Sequence, residues 1–340
     1  MVARLFAALV TSLALVAYAS VPAGSSNVSS ETFMVPALDA GIRLHVRNKH
    51  LAGQVRFGPE RIVLFVHGAT FPSESGFDID LPGGSWMDFV AQRGFDAYIV
   101  DVRGYGRSTR PAAMEQPPKA NPPFADTRDH VRDIAAAVDF IFKRRGVSKI
   151  NFVAWSFGTT TAAAYAADNP AKVERLVLFG PVWFLPSPPQ YEGAYRTSTR
   201  ESARSFIIAG IPKDRVEEIS PTDWYDKWWA ANLLTDPVGA SRNPPVLRSP
   251  NGVMKDFAEF WAASKPTYDP ALIRASTMLV VGEWDAITPP TMAQELFKRL
   301  TATKHRRLVV LSEGSHNMPH EKNRMYLIRE VQHFLEEPGE

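Results

Sequence analysis

Ser156, Asp285 and His316 each follow a short apolar run: Ile150–Ala154, Thr277–Val281 and Arg307–Leu311. Continuous apolar runs of this length form strands covered on both faces, and in an open α/β sheet ligands bind beyond the carboxyl ends of the strands. The residues that end these runs therefore share one rim: His67-Gly68-Ala69, Asp101, Ser156, Gly180, Glu283-Trp284-Asp285 and Ser312 to His316. A serine, an acid and a histidine on one rim can transfer an acyl group. The hydroxyl is a poor nucleophile near neutral pH, so it needs an imidazole within hydrogen-bonding reach, and the imidazole needs a carboxylate to fix its tautomer. Residue types alone leave alternatives: Ser156 as a helix N-cap, Glu283 as the acid, Asp285 as a cap of the helix that follows, or His320 in place of His316.

The elements that must position these groups alternate. Two β-rich segments, Thr32–Ala37 and Ile42–Arg47, flank the turn Asp39-Ala40-Gly41 and predict an antiparallel hairpin. A buried strand over Arg61–Val66 leads to a helix over Trp86–Arg93, then a strand over Asp96–Val100 and the Gly-rich loop Asp101–Ser108. After a Pro-rich connector from Pro111 to Pro123 comes an amphipathic helix from Thr127 to Arg145, ended by Gly146. The central strand Ile150–Ala154 has its helix over Phe157–Asp168 and is followed by a strand over Arg175–Phe179. Two more units close the pattern: Thr277–Val281 with the helix Pro290–Leu300, and Arg307–Leu311 with the helix His320–Leu335. Strand and helix in alternation predict a doubly wound, mostly parallel α/β sheet.

Residues 181–270 break that rhythm. This stretch has many prolines, no buried parallel strand, and five of the eight tryptophans: Trp183, Trp224, Trp228, Trp229 and Trp261. It reads as a mostly helical cap inserted between two parts of one core, 31–180 and 271–340.

Composition narrows the function. Lys plus Arg number 38 against 36 Asp plus Glu, a formal charge of +2 that leaves no footprint for nucleic acid. With no cysteine there is no disulfide, thiol nucleophile or thiolate metal site, and the histidines show no metal-binding spacing. No metal or other cofactor is expected. At the N-terminus, Met-Val-Ala-Arg precedes an apolar run from Leu5 to Ala19, with Ala17-Tyr18-Ala19 as a cleavage signal. A bilayer span needs about 20 apolar residues, so the reading is a signal peptide and leader over 1–24, cleaved after Ala19. That reading makes the protein secreted or periplasmic, with no membrane partner after cleavage.

Ala154-Trp155-Ser156-Phe157-Gly158 matches the Gly-x-Ser-x-Gly nucleophile elbow, with alanine at the first glycine. With His67-Gly68, the Asp-x-Arg-Gly-x-Gly-x-Ser loop over Asp101–Ser108, Gly282-Glu-Trp-Asp285 and Gly314-Ser315-His316, the chain resembles the serine hydrolases of the α/β-hydrolase fold. The resemblance runs over nearly everything after the leader. It implies the order nucleophile, acid, histidine, here Ser156, Asp285 and His316. The implied oxyanion donors are the backbone amides of Phe157 and Ala69, with Thr70 the alternative to Ala69. Asp101 and Arg103 are expected to brace their own loop, and His67 to fix its turn. Relatives that open halides or epoxides carry aspartate at the elbow, so serine points to cofactor-independent acyl transfer to water. The expected substrate is a small-molecule carboxylic ester, bulky or aromatic, with Phe71, Trp155, Trp183 and Trp228 lining its pocket. Carbon–carbon cleavage, peracid formation and non-catalytic ligand binding on the same fold are the alternatives.

Overall fold

A computed structural model describes residues 27–338; the proposed leader lies outside them. The hairpin forms as expected but is longer, with strands β1 (Val28–Pro36) and β2 (Arg43–Leu51). Next come β3 (Ile62–Val66), the short helices α1 (Ser73–Phe77) and α2 (Trp86–Ala91), β4 (Asp96–Val100) and α3 (Thr127–Arg145). Helix α3 starts where the Asp126 carboxylate accepts the amides of Arg128 and Asp129, and stops at Gly146, whose left-handed φ of 68° no β-carbon favours. The chain then runs through β5 (Ile150–Trp155), α4 (Phe157–Asp168) and β6 (Val173–Phe179).

Between β6 and the next sheet strand lie β7 (Tyr195–Thr199), α5 (Arg200–Ile207), α6 (Val216–Ile219), α7 (Thr222–Leu233), α8 (Pro237–Ala240), β8 (Val246–Pro250), α9 (Gly252–Asp256) and a π-helical turn, Phe257–Trp261. Helices predominate, but the antiparallel pair β7·β8 was not visible in the sequence. The core resumes with β9 (Ser276–Gly282), α10 (Pro290–Arg299), β10 (Arg306–Leu311) and α11 (Arg324–Glu336).

One eight-stranded sheet has the order β1-β2-β4-β3-β5-β6-β9-β10. Pairs from β4 to β10 are parallel, whereas β1·β2 and β2·β4 are antiparallel. Alternate side chains of the buried strands enter different cores, as a period of two dictates. Leu64, Val66, Phe152 and Ala154 pack with α3, α4 and α10, while Val63, Phe65, Val153 and Trp155 pack with α2 and α11. The chain steps from β3 outward to β4 and then back across to β5, so the strand order reverses at β3. The loops after β3 and β5 therefore flank a crevice at the sheet's carboxyl edge. Among the described residues no helix is long and apolar enough to cross a membrane.

Two loops are fastened from below. Asp101 accepts the amides of Ser73 and Arg107 and bonds His45 Nδ1 at 3.1 Å, and Arg103 forks onto Asp133 while also reaching Asp39 and Asp129. Both brace their loop, as expected from the sequence. Gly158 faces the backbone: an added β-carbon would lie 2.5 Å from the carbonyl oxygens of Val66 and His67. Helix α4 can approach β3 only because that atom is missing. Substituting Gly158→Ala should therefore destabilise the protein by about 1–3 kcal/mol or more, since backbone cannot yield as a flexible side chain would; a urea midpoint equal to wild type would contradict this packing.

Candidate active site

Ser156 stands between β5 and α4 with φ 57° and ψ −127°, a left-handed conformation rare for a residue bearing a β-carbon. Three bonds hold it there. Its amide donates to Phe179 O at 2.9 Å, and its carbonyl accepts the amide and the hydroxyl of Thr159 at 2.8 and 2.6 Å. The Thr159 hydroxyl in turn accepts the amide of Val182 at 3.1 Å, tying the turn to the segment after β6. The Ser156 hydroxyl makes no capping bond to α4. The N-cap alternative is therefore absent, and the side chain instead borders a cavity. Ala154 keeps regular strand pairing with Val66 and Leu178 and is fully buried, so the alanine is accommodated.

The histidine and its acid come from the turns after β10 and β9. His316 Nδ1 lies 2.8 Å from Asp285 Oδ2. A carboxylate oxygen accepts only, so Nδ1 carries the proton and Nε2 presents its lone pair. That Nε2 is buried, has no protein hydrogen-bond partner, and belongs to a ring bordering the same cavity as Ser156. Asp285 is held as firmly: its Oδ1 accepts the amides of Ile287 and Thr288 at 3.0 and 2.7 Å, and its Oδ2 accepts the Thr288 hydroxyl at 2.9 Å. Asp285 therefore partners the histidine and closes its own turn, but it does not cap the helix that follows: α10 begins at Pro290 after Pro289, with no side-chain cap. Glu283 points elsewhere, accepting the Glu313 amide. Thr288, which also lies 3.1 Å from His316 Nδ1, escaped the sequence reading, although the spacing Asp285-x-x-Thr288 is that of a side-chain-capped turn.

The two turns interlock. Glu283 N donates to Leu311 O and Trp284 N to Gly314 O, while Gly282 packs directly on the Gly314 backbone with no room for a β-carbon. Trp155 joins them from β5 by donating its indole N–H to His316 O at 2.9 Å. Below the histidine, Ser315 replaces the glycine common at that place and gives its hydroxyl and its amide to the Glu321 carboxyl. Glu321 is fully buried, and burial pushes its carboxyl up to about 7. The sequence reading missed this acid.

His320 corrects an expectation. The sequence pattern starts a helix at His320, but residues 318–320 form a 3₁₀ turn and α11 begins only at Arg324. The ring is buried between Trp155 and Trp228, with Nε2 2.8 Å from Ser75 O, and burial pushes it down to about 4. It is a neutral packing residue behind Trp155 and does not border the cavity.

The loop after β3 is fixed by His67. Its Nε2 accepts the Val102 amide at 3.2 Å, which leaves Nδ1–H to donate to Gly68 O at 2.8 Å. Ala69 and Thr70 follow on the cavity wall. Phe157, the first residue of α4, has an amide with no intrahelical acceptor.

The cavity measures about 230 Å³. Gly68, Ala69, Thr70, Phe71, Trp155, Ser156 and His316 line it from the core, with Ile287, and Pro189, Phe206, Met254 and Phe257 line it from the inserted segment. No Asp, Glu, Lys or Arg is among them. Phe71 and Trp155 line it as expected, but Trp183 and Trp228 do not. Trp183 stacks with Phe184, Trp261 and Tyr268 and fastens the insertion to the sheet; Trp228 sits one layer back, 4.5 Å from Phe71 between ring centroids. Phe206, Met254 and Phe257 hold the places given to them, and an aromatic-rich sequence does not tell facing rings from packing rings.

A family model described as serine aminopeptidase, S33, matches residues 58–323. Among curated relatives, human lipase member K is 27% identical over 126 residues, covering 36% of this chain and 31% of that protein. Proline iminopeptidase PfmaB of Pestalotiopsis fici is 25% identical over 290 residues, covering 78% and 93%. The chain spans less than a third of the length of the first curated relatives it matches. A solved esterase of Thermogutta terrifontis superposes with a TM-score of 0.57 at 18% identity, covering 90% of this chain and 98% of that one, a likeness of fold.

The buried acid makes stability depend on pH. Raised above its ordinary 4.5, Glu321 keeps its proton in the folded chain where the unfolded chain has lost it. Its contribution is thus complete below about pH 4.5 and disappears as pH rises through about 7. Glu321→Gln, which imitates the protonated form, should flatten the fall in unfolding free energy between those values, a fall of at most about 1.4 kcal/mol per pH unit for one proton; identical pH profiles for the two proteins would refute the assignment. Ala154→Gly should leave hydrolytic turnover within a few-fold of wild type, because Ala154 fits its strand without displacement; a collapse of turnover would mean that its methyl group supports the elbow.

Proposed function

Because the chain belongs to the serine aminopeptidase, S33, family and has the α/β-hydrolase fold, we propose that it hydrolyses neutral carboxylic esters with bulky or aromatic groups, through an acyl-enzyme on Ser156. The observation that carries the ester reading is the chemistry of the cavity: a nucleophile-bearing wall, rings of Phe71, Trp155, Phe206 and Phe257, and no charged side chain. An aminopeptidase must hold a substrate's α-ammonium group, and desolvating that cation without a carboxylate is costly. The lining offers it none.

The steps follow from the groups present. His316 Nε2 takes the proton of the Ser156 hydroxyl as Oγ bonds to the ester carbonyl carbon, and the carbonyl π electrons move to oxygen. Asp285 stabilises the imidazolium formed, and does not itself take the proton. The amides of Phe157 and of Ala69, or of Thr70 in its place, bind the oxyanion, each such donor being worth roughly 10² to 10³ in rate. Collapse of the tetrahedral intermediate breaks the bond to the alcohol oxygen, which leaves with the proton from His316. Water, deprotonated by the same nitrogen, then attacks the acyl-enzyme; the acid departs and Ser156 recovers its proton.

The purified protein should turn over aryl esters with apolar acyl groups and gain one fluorophosphonate adduct, mapped to Ser156 by peptide mass. Ser156→Ala should reduce ester turnover by about 10⁶-fold and take no adduct. Faster cleavage of a prolyl arylamide than of every ester tested would replace this reading with an aminopeptidase.

A further inference from the structure

Arg196, the second residue of β7, reaches from the inserted segment into the loop after β3. Its Nη2 donates to Ala69 O at 2.6 Å and to Thr70 Oγ1 at 2.9 Å; its Nη1 donates to Pro250 O at 2.6 Å and to Asn251 Oδ1 at 3.4 Å. All four acceptors are neutral. No ion pair joins it to a carboxylate among the described residues, and partial burial pulls its guanidinium below the ordinary arginine range. An uncompensated cation in such a place is costly, so what it faces matters.

It faces the peptide that joins Ala69 to Thr70. The Ala69 carbonyl accepts twice, from Arg196 and from the Tyr105 hydroxyl at 2.7 Å, which occupies both lone pairs and fixes the peptide plane. The Thr70 carbonyl accepts the hydroxyl of Ser249, on β8, at 2.9 Å. The core side of the loop is fixed by His67, while its far side is fixed by Tyr105 and by the β7·β8 pair. Hydrogen bonds to a carbonyl oxygen also polarise the amide N–H of the same peptide unit, here that of Thr70.

We propose that Arg196 is a positioning residue for the oxyanion loop, and that it makes oxyanion binding conditional on the β7·β8 pair being seated against that loop. The inference rests on the ester-hydrolase reading, since it needs an anion to form beside Ala69 and Thr70. A cation without a counter-ion next to that place gains most when the negative charge develops, that is, in the transition state. Its removal should therefore appear in kcat more than in KM.

The test compares Arg196→Met, Arg196→Lys and Arg196→Ala with wild type on one aryl ester. Arg196→Met should lower kcat by up to about 100-fold, the scale of a small misplacement near reacting atoms, with KM within a few-fold. Arg196→Lys keeps the charge but cannot span Ala69 O and Thr70 Oγ1 as a fork does, and should fall between the two. Arg196 also borders a surface cleft of about 400 Å³ with Tyr195, Thr197 and Asn251. Added guanidinium ion, below denaturing concentration, should therefore enter and restore part of the kcat of Arg196→Ala. The same salt should do nothing for Arg200→Ala, whose wild-type side chain is half exposed and paired with Asp226 outside the site. An active wild type with unchanged kcat in Arg196→Met, a loss confined to KM, or failure of guanidinium to restore the folded Arg196→Ala protein would each overturn the inference. If Arg196→Met does not fold, Arg196→Lys with wild-type kcat would do the same. A wild type that neither turns over esters nor takes the fluorophosphonate overturns instead the reading beneath it.

Discussion

The backbone of Ser156 is the constraint on which the site depends. A non-glycine residue at φ 57° and ψ −127° costs on the order of 1–3 kcal/mol, and it persists only where its surroundings over-determine it. Here they do: the amide is bound by β6, the carbonyl by Thr159, and α4 is pressed onto the end of β3 at Gly158. The contact with β3 also sets the distance between the elbow and the loop that begins at His67. One close approach thus determines how nucleophile and Ala69–Thr70 loop stand to each other, while the hydroxyl stays free of the helix it precedes.

The acid and the histidine are positioned by a different device. Their turns belong to adjacent parallel strands and lie against each other, so each supplies acceptors for the other's amides. Trp155 carries this assembly back to the elbow, since one side chain follows the β5 register, borders the cavity and binds the His316 carbonyl. A shift of β5 by one residue would turn that indole to the other face of the sheet and leave the carbonyl without it. The geometry of the candidate site is therefore a property of strand register as much as of the three side chains.

The parts of this arrangement that are local in sequence were legible there. Apolar runs located all the parallel strands to within a residue or two; β3 to β6 and β9 are buried on both faces as such runs predict, whereas β10 is a half-exposed edge strand, so its run Arg307–Leu311 is not covered as expected. That Ser156, Asp285 and His316 follow strand ends on one rim was legible too. What depended on partners far along the chain was not legible. The β7·β8 pair joins segments separated by four helices, and neither strand is distinctive alone. The inward ring of His320 and the burial of Trp183 away from the cavity were set by tertiary packing, which residue type does not encode. Ser315 read as a small departure from a glycine, yet its hydroxyl binds an acid whose burial only the fold reveals.

The β7·β8 pair has one more consequence. Because Tyr195 pairs with Pro250 and Thr199 with Val246, the helical excursion between the strands leaves and returns at neighbouring points. Closing a loop whose ends are already joined costs only slowly more as the loop lengthens, about 0.6 kcal/mol for each doubling. The excursion can therefore be shortened, extended or exchanged as a cassette, while the clip at its base stays in place. Phe206 lies inside that cassette, whereas Met254 and Phe257 follow the clip. Part of the cavity wall is thus free to drift in sequence and length, and part is inherited with the scaffold.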